Sequence, residues 1–256
     1  MMKNKLDFKL DEKARIYDVE IMYDSKSSFL ENYIQKKPII GALLKNIKNS
    51  MIDARDYIFV DGFIEEEAGK LIRKYISKDT VFLEIGCGDL GIRRFLPKDI
   101  CYNAFDVFIS EYALKKASGN KENMNLALAC ATRIPLDSES VSLVVATEVL
   151  EHIPQIDKAI YEIYRVLRRG GILIVSIPNN YCFKYKRKGP HPDHVQNWSF
   201  DSFKEYMTNQ KFMYLEGFMK GFWLPLPLWL TKASYQVPFS CKDEFYNTNF
   251  FYVFKK

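Results

Sequence analysis

The run Val81-Phe82-Leu83-Glu84-Ile85-Gly86-Cys87-Gly88-Asp89-Leu90-Gly91 decides how the chain is read. Its first half, Val81–Ile85, is a short apolar strand; its second half turns on glycines. Glycines directly after a strand let the backbone approach a ligand at the carboxyl edge of a sheet, and a following helix N-terminus offers free N–H groups to an anion. A tight turn with no ligand would use the same glycines, so the run takes its meaning from its surroundings. Upstream, Ile64, Ala68, Leu71, Ile72, Tyr75 and Ile76 share one helical face that leads into the strand. Downstream, apolar strands at Cys101–Phe105, Leu126–Ala129, Val141–Ala146 and Ile172–Ile177 alternate with helical stretches, and Asn249–Phe254 reads as a last strand. That alternation describes an α/β protein whose parallel sheet is covered by helices on both faces.

Two helices have defined ends. Ile156, Ile160, Ile163, Tyr164 and Leu167 form an apolar face, with Arg168 and Arg169 complementing the negative C-terminal end before Gly170-Gly171 stops the helix. Ser199 is an N-cap for a helix that lays Phe200, Phe203 and Met207 on one side.

At 256 residues the chain suits one domain with appendages. Residues 1–60, highly charged and with a helical hint only at Tyr33–Ile52, read as an N-terminal helical cap or lid; 61–256 read as the main domain. The last 46 residues hold 14 of the 38 aromatic side chains, which suggests an aromatic-rich insertion near 218–245. An apolar content of 48% with 27% charged residues excludes wholesale disorder, and a net charge of +5 does not require a nucleic-acid footprint. The longest apolar or proline run, Phe222–Leu230, is about half of a membrane span. The N-terminus lacks the apolar core of a signal peptide, so the expected location is cytoplasmic. Five cysteines without Cys-x-x-Cys fit reduced thiols, and no metal is expected.

Twenty residues past Gly86 the second strand ends in Asp106. A carboxylate at that tip, beside a glycine loop, accepts both hydroxyls of a ribose. Gly86, Gly88 and Gly91 satisfy Gly-x-Gly-x-x-Gly, so these residues alone leave dinucleotide and other nucleoside cofactors both open.

Five motifs in order settle that choice by resemblance: Val81 to Gly88, Ala104-Phe105-Asp106-Val107, Arg133-Ile134-Pro135-Leu136, Ala146-Thr147-Glu148-Val149-Leu150-Glu151-His152-Ile153 and Arg165-Val166-Leu167-Arg168-Arg169-Gly170-Gly171. Together they resemble class I S-adenosylmethionine-dependent methyltransferases over roughly Ile64 to Ile177, and in particular the small-molecule branch with the ubiquinone, menaquinone and sugar methyltransferases. The resemblance implies a Rossmann-like doubly wound sheet, mostly parallel with an antiparallel C-terminal strand, and S-adenosyl-L-methionine as cofactor. It further implies that Glu84 holds the methionine end through the loop, that Gly86, Cys87 and Gly88 make room for the cofactor, and that Asp106 takes the ribose hydroxyls. Val107 would lie against adenine and the backbone at Ala131 would meet its edge. Thr147 and Glu148 would face the acceptor. The sequence departs from the family in having Cys130 where an acidic residue often precedes the adenine contact.

Methyl transfer to a hydroxyl benefits from a base, and His191 and His194, in a proline-bracketed loop, are the candidates, with His152 read as a packing residue. From Ile163 to Pro192 there are seven basic residues and no acidic one. Beside an acceptor loop, Lys184, Lys186, Arg187 and Lys188 suit a phosphate, although a basic run is as often a solvated face. Phe222–Leu230 suits an apolar pocket, peripheral membrane or lipid contact, or plain packing. The expected function is O-methylation of a glycan, lipid-linked or quinone-like small molecule, with no nucleic-acid partner. The alternative is a catalytically silent protein that keeps the fold for binding or interaction.

Overall fold

The computed structural model describes residues 5–6, 61–119, 123–189, 191–225, 234–237 and 240–256. The cap at 1–60, the helical hint at Tyr33–Ile52 and the end of the Phe222–Leu230 run therefore lie outside the described residues, apart from 5–6.

Five strands, β1 (Phe82–Ile85), β2 (Tyr102–Asp106), β3 (Met124–Leu128), β4 (Val141–Thr147) and β5 (Leu167–Pro178), pair in parallel. Three more, β6 (Met213–Pro225), β7 (Ser234–Val237) and β8 (Asn247–Lys255), extend the sheet by antiparallel pairing, giving the order β3-β2-β1-β4-β5-β8-β6-β7. The expected mostly parallel, Rossmann-like sheet is present, with three antiparallel strands at its C-terminal end where one was expected. Part of the expected aromatic insertion at 218–245 is this sheet: residues 218–225 belong to β6, and Phe218 stacks on Phe251 of β8 with centroids 5.0 Å apart.

Burial on both faces explains the near-continuous apolar strands. Alternate residues serve opposite layers: Leu83, Ile85, Phe250, Tyr252 and Phe254 pack on one face, while Phe82, Tyr102, Phe251 and Val253 pack on the other. The first face is covered by α3 (Ile156–Val166) and α5 (Phe200–Asn209), the second by α1 (Asp61–Tyr75) and α2 (Glu111–Gly119). The predicted face of α1 holds, with Ile64, Ala68, Leu71 and Ile72 buried. So does the cap of α5, where the Ser199 hydroxyl accepts from Ser202 N–H and the Ser202 side chain accepts from Ser199 N–H.

Two expectations fail locally. The helix α3 stops at Val166, because Leu167 turns extended, buries its side chain and pairs with Val141. Arg168 and Arg169 are thus exposed residues at the start of β5, and Gly170, at φ 75°, donates to the Lys256 carbonyl instead of ending a helix. The glycine loop after β1 leads into a five-residue 3-10 turn, Gly91–Phe95, not into an α-helix. Leu90 precedes it at φ 64°, and a Cβ on Gly91 would fall 1.8 Å from Glu65 Oε1, so α1 closes over the third glycine.

Candidate functional site

The strand order reverses between β1 and β4, and the crevice outside their carboxyl ends is where ligands bind in open α/β sheets. The loop after β1 and the loop after β4 meet there. Gly86 has φ 72°, and a Cβ on it would lie 2.1 Å from Val149 Cγ2, so only glycine lets the two loops pack. Gly86 N–H donates to the Phe105 carbonyl at 2.9 Å. Gly88, at φ 44°, has nothing within 4 Å of where its Cβ would be, which leaves open space above the loop.

Asp106, at the tip of β2, accepts from Gly88 N–H at 2.9 Å through Oδ2 and from Phe108 N–H at 3.2 Å through Oδ1. Each carboxylate oxygen keeps lone-pair capacity beyond that bond, so the group is oriented and still able to accept a vicinal pair of hydroxyls. Lys116 of α2 ties the loop from below, donating to the Asp89 and Leu90 carbonyls at 3.2 and 3.3 Å.

The other residues expected on this side are placed differently from one another. Glu84 faces the α1 layer, 2% exposed, and accepts a hydrogen bond from the Tyr102 hydroxyl. Burial pushes its carboxyl well above the ordinary range despite that donor. The Cys87 side chain is buried, and burial, followed by the charges of Glu84 and Asp106, raises its thiol, so what Cys87 offers a ligand is backbone. Val107 is half-buried beside Asp106. Ala131 lies just beyond β3, in a turn closed by the Cys130–Arg133 bridge and a Cys130 Sγ to Thr132 Oγ1 contact of 3.2 Å. A clamp unseen in the sequence holds the next loop: Arg165 donates to the carbonyls of Ile134 at 2.8 Å and Leu136 at 2.7 Å, while Glu162 accepts from Ile134 N–H.

Beyond β4 the chemistry is carboxylate and imidazole. Thr147 ends the strand beside Ser176 of β5, and Glu148 follows at φ 53°. Its carboxylate accepts from Ser176 Oγ at 2.7 Å and from Asn249 Nδ2 at 2.9 Å. Glu151 is 1% exposed, and among the described residues neither of its carboxylate oxygens has a hydrogen-bond partner. Burial and then the Glu148 charge push its carboxyl well above the ordinary range.

The loop from His191 to Ser199 is stapled onto this turn by Val195 and Gln196 N–H groups, which donate to the Glu151 carbonyl at 2.9 and 3.1 Å. The staple brings all three histidines together. Ring centroids of His152 and His194 are 5.0 Å apart, and those of His191 and His194 stack at 4.4 Å. His191 Nδ1 accepts from Asp193 N–H at 3.3 Å. Burial, with His191 and His152 adding, holds the His194 imidazolium down to about 4, so at neutral pH its ring is uncharged and a weak proton acceptor. Tyr185, on the short helix α4 (Phe183–Lys188), packs edge-on to His194 at 6.1 Å. Of the basic run, Lys186 and Arg187 are exposed, with the Lys186 ammonium 5.3 Å above the Phe245 ring.

The sequence reading names His191, His194 and Glu148 here and sets His152 aside, but it does not single out Glu151 or Asn180, whose Oδ1 lies 2.9 Å from His194 Nδ1. Glu151 and His152 stand in the quoted Leu150-Glu151-His152 motif, but the loop that meets them lies about forty residues away, and no periodicity spans that gap.

Residues 83–175 match the profile described as a methyltransferase domain. Over 144 residues the chain is 28% identical to a probable S-adenosylmethionine-dependent methyltransferase of Mycolicibacterium smegmatis, covering 56% of this chain and 55% of that protein. Over 102 residues it is 32% identical to the 2-methyl-6-phytyl-1,4-hydroquinone methyltransferase of a Synechocystis species, covering 38% of this chain and 31% of that one. The chain thus spans about half the length, or less, of these curated relatives. The solved YcgJ protein of Bacillus subtilis shares the fold at a TM-score of 0.59 and 13% identity, covering 75% of this chain and 98% of its own. Among the described residues no helix is long and apolar enough to cross a membrane.

Proposed function

We propose, from the class I S-adenosylmethionine-dependent methyltransferase domain that the chain carries, that the protein transfers a methyl group to a small molecule. The observation that carries the reading is the Asp106 carboxylate, oriented by two backbone N–H groups beside the open space over Gly88, at the sheet's switch point. That arrangement fits a nucleoside: Asp106 would accept the ribose hydroxyls, Gly86, Cys87 and Gly88 would face the cofactor with backbone, Val107 would lie on adenine, and the backbone at Ala131 would meet its edge. Glu84, buried under the loop, would act on the methionine end only through the loop's shape. The cofactor brings a methyl group already activated on a sulfonium, so the protein's task is alignment and exclusion of water.

On the acceptor side, Thr147 and Glu148 would position the substrate, with the His191–His194 loop over it. Glu148, already holding two donors, would act as a fixed acceptor for a substrate O–H or N–H. We favour a hydroxyl on a glycan, lipid-linked or quinone-like ring that carries an anionic part, because Lys186 and Arg187 stand exposed beside the loop. The hydroquinone methyltransferase among the relatives is in keeping with a ring acceptor. Calorimetric titration tests the cofactor half. Micromolar binding of S-adenosylhomocysteine, lost in Asp106→Ala, is expected; NAD binding without it would overturn the reading. A screen of extracted metabolites with labelled methyl donor tests the acceptor half, and turnover only of cationic amines would refute it.

A further inference from the structure

We propose that Glu151, His152 and His194 bind one first-row divalent transition-metal ion at the acceptor edge of the sheet. Each of the three offers one ligand atom, and these atoms lie within 4.8 Å of one another. Two histidines and a carboxylate form a ligand set used by both catalytic zinc and open-sided iron sites.

Three independent features make this more than proximity. First, the Glu151 carboxylate is buried with no hydrogen-bond partner on either oxygen among the described residues, and His152 Nε2 lies 3.7 Å from it. Buried carboxylates are otherwise paired or hydrogen-bonded, because removing them from water uncompensated is costly; a bound cation supplies the missing partner. Second, both imidazoles are held in the tautomer that ligation needs. His152 Nδ1 lies 3.0 Å from the Asp193 carbonyl, which only accepts, so Nδ1 carries the hydrogen and Nε2 turns to Glu151 with its lone pair. His194 Nδ1 lies 2.9 Å from Asn180 Oδ1. Asn180 is itself oriented by donating through Nδ2 to Asn197 Oδ1 at 2.6 Å and to the Gln196 carbonyl at 3.3 Å, so its oxygen must face His194. Outer-shell acceptors of this kind fix the ring and raise the basicity of a metal ligand. Third, the loop bearing His194 is fastened to the backbone of Glu151 by Val195 and Gln196, so the ligand set is held together across forty residues of sequence. Ligand atoms around such an ion at about 2.0–2.2 Å are roughly 3–3.5 Å apart, a contraction within reach of side-chain rotation.

His191 does not complete the set: its Nδ1 already accepts from Asp193 N–H. Three protein ligands leave at least one position for a ligand oxygen, and the site lies beside Glu148, where the acceptor is proposed to bind. The binding of the ion does not depend on the methyl-transfer reading; its use, to orient an acceptor oxygen, does. Mixed nitrogen and oxygen donors favour zinc, cobalt, iron or manganese over magnesium or calcium.

The test is a titration of chelator-treated protein with Co²⁺. Saturable d–d absorption at one ion per chain is expected. Glu151→Gln and His194→Asn should each weaken it by roughly 100-fold or more, and Asn180→Ala by about 10- to 100-fold. His191→Asn should leave it unchanged. Thermal melts and S-adenosylhomocysteine binding show whether each variant is folded, and His194→Asn, on the loop, keeps the test open if Glu151→Gln does not fold. No d–d bands in the parent protein, or an affinity in both Glu151→Gln and His194→Asn equal to the parent's, would overturn the site whatever the cofactor result.

Discussion

The two halves of the crevice are built on opposite principles. On the β1–β2 side the determinants are backbone: two glycines at positive φ and a carboxylate whose oxygens each hold an N–H group. On the β4–β5 side they are side chains: Glu148 satisfied by Ser176 and Asn249, Glu151 buried with no hydrogen-bond partner among the described residues, and three histidines gathered from two segments. A region complete in itself reads as a cradle of fixed shape, whereas a buried group left unpaired reads as one awaiting a partner. The difference teaches which side is built to select its ligand by fit and which by chemistry.

The point where the halves touch is the most sensitive. In Gly86→Ala the added methyl meets Val149 at 2.1 Å on a backbone at φ 72°. Overpacking and left-handed strain together should cost roughly 3 kcal/mol, read by urea denaturation. Adding Val149→Ala should return the packing share and leave the strain; no recovery in the double variant would mean that the two loops are not in contact.

Asp106→Ala should come next. Leaving ribose hydroxyls unpaired costs about 1–3 kcal/mol, or roughly 5- to 150-fold in S-adenosylhomocysteine affinity. Glu151→Gln should leave that affinity within about twofold, since the halves are separate. If Glu151→Gln weakened the cofactor as much as Asp106→Ala, the division of the crevice would be wrong.

The same division sets what was legible in the sequence. Val81–Gly88 and Asp106 are neighbours across β1 and β2, their separation fixed by one crossover, so strand and glycine spacing sufficed to pair them. The 3-10 turn at Gly91–Phe95 was not legible, because a helical pattern and a turn look alike over five residues. The end of α3 was misplaced for a tertiary reason: Leu167 fits the apolar face of a helix, but the sheet takes it to pair with Val141. Of the three antiparallel strands, β8 was legible as Asn249–Phe254, whereas β6 and β7 lay in the segment read as an aromatic-rich insertion, a clustering that burial on both faces produces as readily as a surface patch does. At the acceptor edge Glu151 and Asn180 carry no periodic signal at all, and only the fold of the His191–Ser199 loop brings them together.

Glu151 gives the acceptor edge a pH signature of its own, as the buried Glu84 does beneath the glycine loop. Its carboxyl is held well above the ordinary value of 4.5 in the folded protein, by burial first. Above about that pH the unfolded chain ionises this group while the folded one keeps its proton, so the unfolded state binds fewer protons and stability falls as pH rises. Glu151→Gln removes this contribution. In chelator-treated protein the variant should match the parent near pH 4.5 and exceed it in Tm by a margin that widens towards pH 8. A constant gap across that range would show that Glu151 is not protonated in the fold.

The smallest effect is expected at the rim of the acceptor edge. Lys186 and Arg187 lie exposed on α4, which follows β5 and packs Tyr185 against His194. Charges in that setting are well solvated, and each contributes under about 1 kcal/mol to an ion pair. Replacing both with alanine should therefore raise the KM of an anionic acceptor by only about 3- to 10-fold and leave kcat nearly unchanged, because uniform binding is lost and no contact special to the transition state is touched. Affinity for S-adenosylhomocysteine should not move. Raising the ionic strength should shrink the parent's advantage, as screening takes over beyond a few ångströms. A drop in kcat with KM unaltered would move these residues from the rim into the alignment of the acceptor, and an effect insensitive to salt would mean that their stems, and not their charges, touch the substrate.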